Sequence, residues 1–509
     1  MERVYAERSQ GTTPLDYPSL DVPYYQNAAN HSPEAEPAEK LASDPAVVTA
    51  ANQIVAACGQ LAASVHRPFF SLMEGLMSGH IVASIQFLEA TNTVEILREA
   101  GPEGVHVNEL ARRIDVLASG QDGTAPAEPV DPDKLGHILR LLATFHWIRE
   151  VRPDVFANNR LSSIIDSGKT PEQLRIAPSK KYDGTDCVAA LVPMKSDDFF
   201  KSIAHMTDAL LPDRERAISL RKLLYQRGQS DSATNVKYKT PFNLAFRTEL
   251  GYFEWLELPE NKTRLRDFGV GMTGTRPWEI VENIIGTFAW KDLSKDSVVV
   301  DVGGGVGSTS VVLAHAYPHL RFVVEDRKQV VEIAPSVWSG EHAELVKSGR
   351  VSFRPQDFLQ PRPPSIEVSV VGSVSSPAVF LIRGCTHNWP DESVRTILRH
   401  LRNAAGSTTK LLIVDMVLAH ACYNDYDDNR EAIPGAERTL APEGSPLLAN
   451  LGRASASGYL LDLSMMAVLG AKERTLREIS ALARSAGWKV SRMARASGSV
   501  WAYITAEPF

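Results

Sequence analysis

The sequence is short of cysteine, of long apolar runs and of excess charge, and each shortage argues against a class of protein. Four cysteines (Cys58, Cys187, Cys385 and Cys422) are scattered through 509 residues without a CxxC pair. That spacing speaks against a disulfide framework or a cysteine-based zinc site and fits a reducing compartment. The opening MERVYAERSQ has no apolar core of a signal sequence, and no later stretch approaches about 18 uninterrupted apolar residues. The expectation is a soluble, cytoplasmic protein without a membrane partner. A net charge of −7 supplies no electrostatic reason for binding nucleic acid or an anionic lipid surface.

What is present is ordinary globular material, 44% hydrophobic and 23% charged, long enough for two or three domains at roughly 100–200 residues each. Residues 1–43 are polar, acidic and proline-bearing, and read as a disordered or loosely packed leader. From Ala46 apolar residues recur at three- and four-residue intervals, the helical period. VHVNELARRID and DPDKLGHILRLLATFHWI are two short helices, the second opened by Asp131-Pro132-Asp133. The SGQDGTAPAEPVDP stretch between them reads as an exposed loop, and IREVRPDVFANNRLSSII after Trp147 reads as a hairpin. Two short helices and a hairpin make a winged helix-turn-helix. The mostly apolar second helix and the acidic chain favour a scaffold or dimerisation module over a DNA reader, which needs basic or amide side chains along one face. This domain is bounded at 44–195.

From Ser196 to Trp290 the chain reads as helices punctuated by aromatics, a lead-in (196–296) to the last domain. From Ser297 the pattern changes. VVVDVG, RFVVED, VSFRPQDF, AVFLIRG and KLLIVDMVL alternate with helical segments, which implies a mostly parallel sheet covered on both faces. WKVSRMARA and SVWAYITAEP close it as an antiparallel hairpin. This core spans 297–509, so the final domain is 196–509 in all. The polar segment His420 to Ser457 is longer than most loops and reads as a lid or a disordered insertion.

The chemistry gathers on that core. A buried strand reaches Asp301, and glycines at 303, 304, 305 and 307 turn the chain into a helix near Ser308. Glycine permits positive φ and close approach of a ligand to backbone. The turn lacks the full G-x-G-x-x-G spacing that seats a pyrophosphate, and an empty strand–helix turn is its plain alternative. Asp326 ends the second strand about twenty residues on, where an acid can accept hydrogen bonds from both ribose hydroxyls. Asp357 ends the third, where a carboxylate can accept from an adenine amine; a solvent-exposed turn is its plain alternative. His387 follows the buried strand AVFLIRG at the same edge and precedes a helix opened by Pro390-Asp391-Glu392.

Taken together, DVGGGVG, the Asp of the second strand, QDF, LIRGCTHNWPDE, GAKERT, TPFNLAF and FEWLE resemble the plant and fungal small-molecule O-methyltransferases of the caffeic acid O-methyltransferase type. The likeness runs from about Ala46 to the C-terminus. It implies an α/β fold: a Rossmann-like class I methyltransferase domain with a mostly parallel sheet, preceded by an all-helical, winged-helix dimerisation domain. It implies S-adenosylmethionine as cofactor, held at Asp301, Gly303, Gly304, Gly305, Asp326, Asp357 and Phe358, with Arg383 standing where the family has lysine. It makes His387 the general base, bracketed by Asp415 and Glu473, with aspartate in place of the usual glutamate at 415. Phe268, Met272 and Met465, then Phe246 and Phe253, are the candidate walls of the acceptor pocket; core packing is their plain reading.

The expected reaction is in-line methyl transfer to a hydroxyl of a small phenolic or polyketide-like acceptor, by a homodimer, without nucleic acid and without metal, since no clustered carboxylates or histidines sit where a metal could bridge a catechol. Two rivals differ: a relative that binds the cofactor but catalyses non-methylating chemistry, and a winged-helix regulator that binds DNA.

Overall fold

The computed structural model describes residues 1–8, 15–26, 33–119, 128–211, 240–275, 278, 283–338, 342–369, 371–423, 433–437, 439–495 and 501–509. The chain divides into two compact units, one of Met1–Ala51, Leu61–Val236 and Phe242–Pro277, the other of Asn52–Gln60, Lys237–Pro241 and Trp278–Phe509. The helical lead-in was expected to belong with the sheet domain. Up to Pro277 it belongs instead with the N-terminal unit.

In the first unit, strands β1 (Val105–His106), β2 (Arg149–Arg152) and β3 (Val155–Ala157) form an antiparallel sheet in the order β1-β3-β2. The helices Val107–Ala118 and Pro132–Thr144 complete the winged-helix arrangement. The second starts as its sequence requires, with Pro132 in its first turn and Asp131 Oδ1 accepting from the Asp133 amide at 2.9 Å, which satisfies one of the orphan donors of a helix start. Its Leu135, Leu139 and Leu142 are buried in a core with Val94, Leu97, Leu110 and Phe156. Residues 120–127 of the loop before it lie outside the described residues.

The 1–43 leader was expected to be loose, yet its described parts make specific contacts. Tyr5 is buried and its hydroxyl donates to the Ala38 carbonyl at 2.9 Å. Arg160 forks onto Glu39 at 2.8 and 2.7 Å, and its amide donates to the Leu20 carbonyl at 2.9 Å. Tyrosines at 5, 17, 24 and 25 give this polar segment the anchors that its lack of periodicity conceals.

The helix Pro45–Val65 is also unlike its expectation. It is 21 residues long, with a mean hydropathy of 1.4 over a window that is 11% buried, and so could cross a bilayer by length and composition. Thr49, Asn52, Gln53 and Gln60 interrupt the apolar run without introducing charge. On this helix and the next, Pro68–Met77, the side chains Ile54, Leu61, Val65, Phe69, Leu72 and Leu76 are exposed.

The second unit holds the large sheet. Its strands are β4 (Val298–Val302), β5 (Arg321–Asp326), β6 (Val351–Pro355), β9 (Val379–Arg383), β10 (Lys410–Leu418), β11 (Arg474–Thr475), β12 (Trp488–Arg495) and β13 (Trp501–Pro508). A small hairpin, β7 (Ile366–Val368) and β8 (Gly372–Val374), lies apart. The order is β6-β5-β4-β9-β10-β13-β12, with β11 beside β10. All neighbours from β6 to β10 are parallel, and β13 runs antiparallel to both β10 and β12.

The strands are continuously apolar because both faces are covered. Val298, Val300, Phe380, Ile382, Leu411 and Ile413 enter one core; Val299, Val379, Leu381, Leu412 and Val414 enter the other. The two sets alternate along each strand, the period of two that a pleated strand imposes. Helices Ser308–Ala316 and Asp391–Asn403 connect parallel neighbours.

The segment 420–457 is not one open loop. Outside residues 424–432 and 438, which lie beyond the described residues, the Ala449 amide donates to the Ala421 carbonyl at 3.2 Å, and Asn450 Nδ2 donates to the Tyr459 hydroxyl at 2.8 Å.

Candidate active site

The sheet reverses its winding at β4, which lies between β5 and β9. In open parallel sheets ligands bind outside the carboxyl ends of the strands at such a point. Three chain segments leave the sheet there: the glycine turn after β4, Asp326 ending β5, and the segment after β9 that carries His387.

The glycine turn is held by hydrogen bonds from beneath. The amides of Gly303 and Gly304 donate to the Glu325 carbonyl at 2.8 and 3.1 Å, and the Gly307 amide donates to the Gly304 carbonyl at 2.9 Å. At Gly304 a Cβ would stand 2.6 Å from the Asp301 carboxyl carbon. At Gly307 φ is +84°, and a Cβ would stand 2.9 Å from the Trp338 ring, whose Nε1 donates to the Val306 carbonyl at 2.6 Å. Above the turn lies space: a Cβ on Gly305 would meet nothing within 4 Å.

Asp301 was expected at the end of the strand, facing the cofactor. It sits inside β4, buried, and accepts from the Ser310 hydroxyl at 2.7 Å. Burial pushes its carboxyl up to about 6, against the Ser310 hydrogen bond and the Arg383 charge. Its observed contacts brace the turn. Asp326 ends β5; its Oδ2 accepts from the Gly305 amide at 2.8 Å and Oδ1 from the Arg327 amide at 2.7 Å.

Asp357 lies two residues beyond the end of β6 at Pro355, not at the strand end, and is exposed, with Oδ1 accepting from the Leu359 amide at 2.9 Å. Phe358 packs edge-on against Trp389 with ring centroids 5.6 Å apart. Arg383 ends β9 and lies over the Trp501 ring at 5.4 Å.

Glu325 was missed by the sequence reading. It is buried next to Asp326, and Arg362 binds both its oxygens at 2.7 Å while Arg354 joins them. A buried carboxylate requires such partners, and this one fixes the strand end whose carbonyl holds the turn. A charged residue following Val323 and Val324 in a buried strand was the available signal.

His387 lies on a short 3-10 turn, Thr386–Asn388, with its side chain 12% exposed. Its Nδ1 is 2.6 Å from Glu473 Oε1. Burial pulls the imidazolium pKa down, but the Glu473 hydrogen bond, the charges of Glu473 and Asp415 and a hydrogen bond to the Gly384 backbone outweigh it, and the net shift is upward from 6.5. An ionised carboxylate only accepts hydrogen bonds, so the proton of this pair belongs on Nδ1 and the lone pair on Nε2.

The two acids do not bracket the imidazole alike. Asp415 lies in the middle of β10 rather than at its end, and accepts from the Thr386 hydroxyl with Oδ2. Oδ1 is buried without a hydrogen-bond partner in the structure. Burial pushes Asp415 up to about 6, opposed by the His387 charge and the Thr386 hydroxyl. The contact of this short side chain goes to the neighbour of His387, and its charge acts on the imidazole through space.

The acceptor candidates fall into two groups. Met465 is buried on the helix Ala456–Leu469 of the second unit, which packs against the His387 turn. Phe246, Phe253 and Phe268 belong to the first unit. There Phe246 lies 4.7 Å from Trp255 and Phe268 lies 5.8 Å from both Phe253 and Tyr252 (ring centroids), an aromatic cluster that also buries Phe242. Met272 is 46% exposed. Among the described residues no group of three or more His, Cys, Asp or Glu is placed to hold a metal ion.

Comparison with known proteins bears on this site. Residues 231–431 match the model of the O-methyltransferase domain. An O-methyltransferase of Armillaria gallica is 36% identical over 456 residues, 89% of this chain and 87% of that protein. The 4-O-methyltransferase 1 of Phanerochaete chrysosporium is 32% identical over 465 residues, 91% and 89% of the two chains. Among solved structures, LepI in complex with SAM superposes with a TM-score of 0.60 at 19% identity over 93% of this chain and all of that one. The mitomycin 7-O-methyltransferase does so with 0.56 at 19%, over 89% and 100%. These structures share the fold; the relatives share the family. With these relatives, and with a glycine turn, the Asp326 carboxylate and a histidine–glutamate pair on one sheet edge, the chain belongs to the plant and fungal family of S-adenosylmethionine-dependent O-methyltransferases.

Proposed function

We propose that this enzyme methylates a phenolic hydroxyl of a small aromatic acceptor, with His387 as general base. The observation that carries the proposal is the 2.6 Å contact between His387 Nδ1 and Glu473 Oε1, at the sheet edge shared with the glycine turn. The residues present suit an adenosyl cofactor. The open face of the turn admits its methionine part, Asp326 suits the ribose hydroxyls, and Asp357 with Phe358 lies at the next strand, where the adenine belongs. When bound, S-adenosylmethionine supplies an electrophilic methyl group on a sulfonium.

The protein must then align an oxygen nucleophile and take its proton. A phenol titrates near ~10 and an imidazole near ~6.5, so His387 Nε2 accepts the proton as the carbon–oxygen bond forms, in step with the transition state rather than before it. Glu473 orients the ring and stabilises the imidazolium that results; the Asp415 charge adds to this. Met465 supplies apolar wall beside the base. Alignment of the two reactants contributes the rest of the acceleration. The Phanerochaete relative is a 4-O-methyltransferase, which supports oxygen as the atom methylated.

The test is incubation with methyl-labelled S-adenosylmethionine and a panel of phenols, catechols and hydroxylated polyketides, read by mass. Label on a ring oxygen is expected. Binding of the cofactor with no labelled product, but with conversion of a test compound, would replace this reading by non-methylating chemistry.

The working form is proposed to be a homodimer through the apolar helices of residues 45–77. Leu61 and Phe69 are 63% and 65% exposed, more apolar surface than a monomer usually leaves in one stretch. Sedimentation equilibrium is expected to give twice the chain mass, and Leu61→Glu with Phe69→Glu to give the monomer. A wild-type monomer at micromolar concentration rules the dimer out.

A further inference from the structure

Arg474 has no part in the chemistry above, yet its side chain is only 2% exposed and all three of its guanidinium nitrogens donate hydrogen bonds. It follows Glu473 directly and lies in β11, which pairs with β10 at Val417. Its Nη1 donates to the Thr386 carbonyl at 2.9 Å and its Nη2 to the Trp389 carbonyl at 2.7 Å. Those two carbonyls lie on either side of His387. Nε and Nη2 also donate to Asp391 Oδ1 at 3.0 and 2.9 Å, at the start of the helix that follows the turn.

We propose that Arg474 is a positioning residue that holds His387 in register with Glu473 by gripping both flanks of the turn that carries the base. The inference rests on the reading of His387 as general base. Glu473 is fixed from its other side, because its amide donates to Asp462 Oδ1 at 2.9 Å. The acid therefore cannot follow the base if the turn drifts. A planar guanidinium presents its donors in a rigid fork that reaches three acceptors at once; an ammonium offers one centre for all its donors. Arg474→Lys thus keeps the charge and loses the grip.

The charged groups around His387 are Glu473 and Arg474 from the β11 segment, Asp415 from β10, Arg383 from β9, Asp391 from the following helix and Asp462 from the helix Ala456–Leu469. Of these charged groups, Glu473 hydrogen-bonds the ring through its side chain. Loosening the turn weakens that contact and lowers the affinity of the imidazole for a proton.

The experiment compares wild type, Arg474→Lys, Asp391→Ala and His387→Ala. Histidines carry a 13C label at Cε1, and the His387 signal is assigned by its loss in His387→Ala among the 13 histidines of the chain. Expected in Arg474→Lys and Asp391→Ala are a His387 titration moved down towards ~6.5 and a kcat lower by about 10²-fold with the labelled phenol. S-adenosylhomocysteine affinity should remain within about twofold by calorimetry, because the grip lies on the base side of the site. If Arg474→Lys does not fold, Asp391→Ala decides, since Asp391 is 43% exposed. A His387 titration and kcat unchanged in the folded variants overturn the inference even while His387→Ala is inactive. Undiminished activity of His387→Ala overturns the general-base reading instead.

Discussion

Replacing His387 by alanine is expected to lower kcat by about 10²- to 10⁴-fold, the range that a positioned general base contributes, while leaving cofactor binding unchanged. The separation follows from geometry. His387 is on the turn after β9, and its imidazole hydrogen-bonds Glu473; the glycine turn is held by Glu325, Asp326, Asp301 and Trp338. Removing the imidazole therefore leaves the cofactor cradle intact. Turnover with labelled cofactor and calorimetry with S-adenosylhomocysteine check the two halves independently.

The same assignment has a pH signature. Because Glu473 and Asp415 raise the His387 pKa above its ordinary 6.5, a base at His387 is protonated and inactive below its own raised pKa, and kcat/KM is expected to rise with pH on a limb that lies above 6.5. Glu473→Gln removes the largest favourable contribution, so the acid limb should move to lower pH while the plateau falls. A limb that stays in place in Glu473→Gln would mean that another group controls it.

The second large effect is expected at Gly304, where alanine should weaken S-adenosylhomocysteine binding by about 10- to 100-fold, equivalent to about 1–3 kcal/mol of backbone strain. Neither party to the clash can give way. The added Cβ would meet a carboxylate that is buried and bonded to Ser310. The backbone of the turn is tied to the Glu325 carbonyl by the amides of Gly303 and Gly304, and Glu325 is itself locked by Arg362. The turn must open to admit the methyl, and its upper face is where the cofactor belongs. Calorimetry on folded Gly304→Ala checks this. Wild-type affinity at unchanged stability would show that the turn tolerates a side chain and that the cradle reading is mistaken.

Much of the sheet and of its glycine turn is legible in local pattern and chemistry. The run VVVDVG followed by glycines has one good physical use, a buried strand turning beneath a ligand, and the alternation of strands with helices admits a covered parallel sheet. Asp131-Pro132-Asp133 marks a helix start because capping is a matter of adjacent residues. His387 was legible because a histidine after a buried strand, at the edge where strands end, has few other neighbours to serve.

What stayed hidden depends on residues distant in sequence. Glu325 finds Arg362 37 positions away and Arg474 finds Thr386 88 away, and no local periodicity reports such pairs. The contact of Asp415 with Thr386 rather than with the imidazole was equally unreadable, since side-chain reach matters only once the strands are in register. The leader at 1–43 looked loose because its anchors are single tyrosines and one arginine pair, without a repeating pattern. The sequence by itself determined the parallel sheet, the glycine turn and the types of residue at the strand ends. The tertiary structure alone decided which acid holds His387, which residues brace the turn and which aromatics pack on one another, because hydrogen bonds of about 3 Å select among partners that only folding brings within reach.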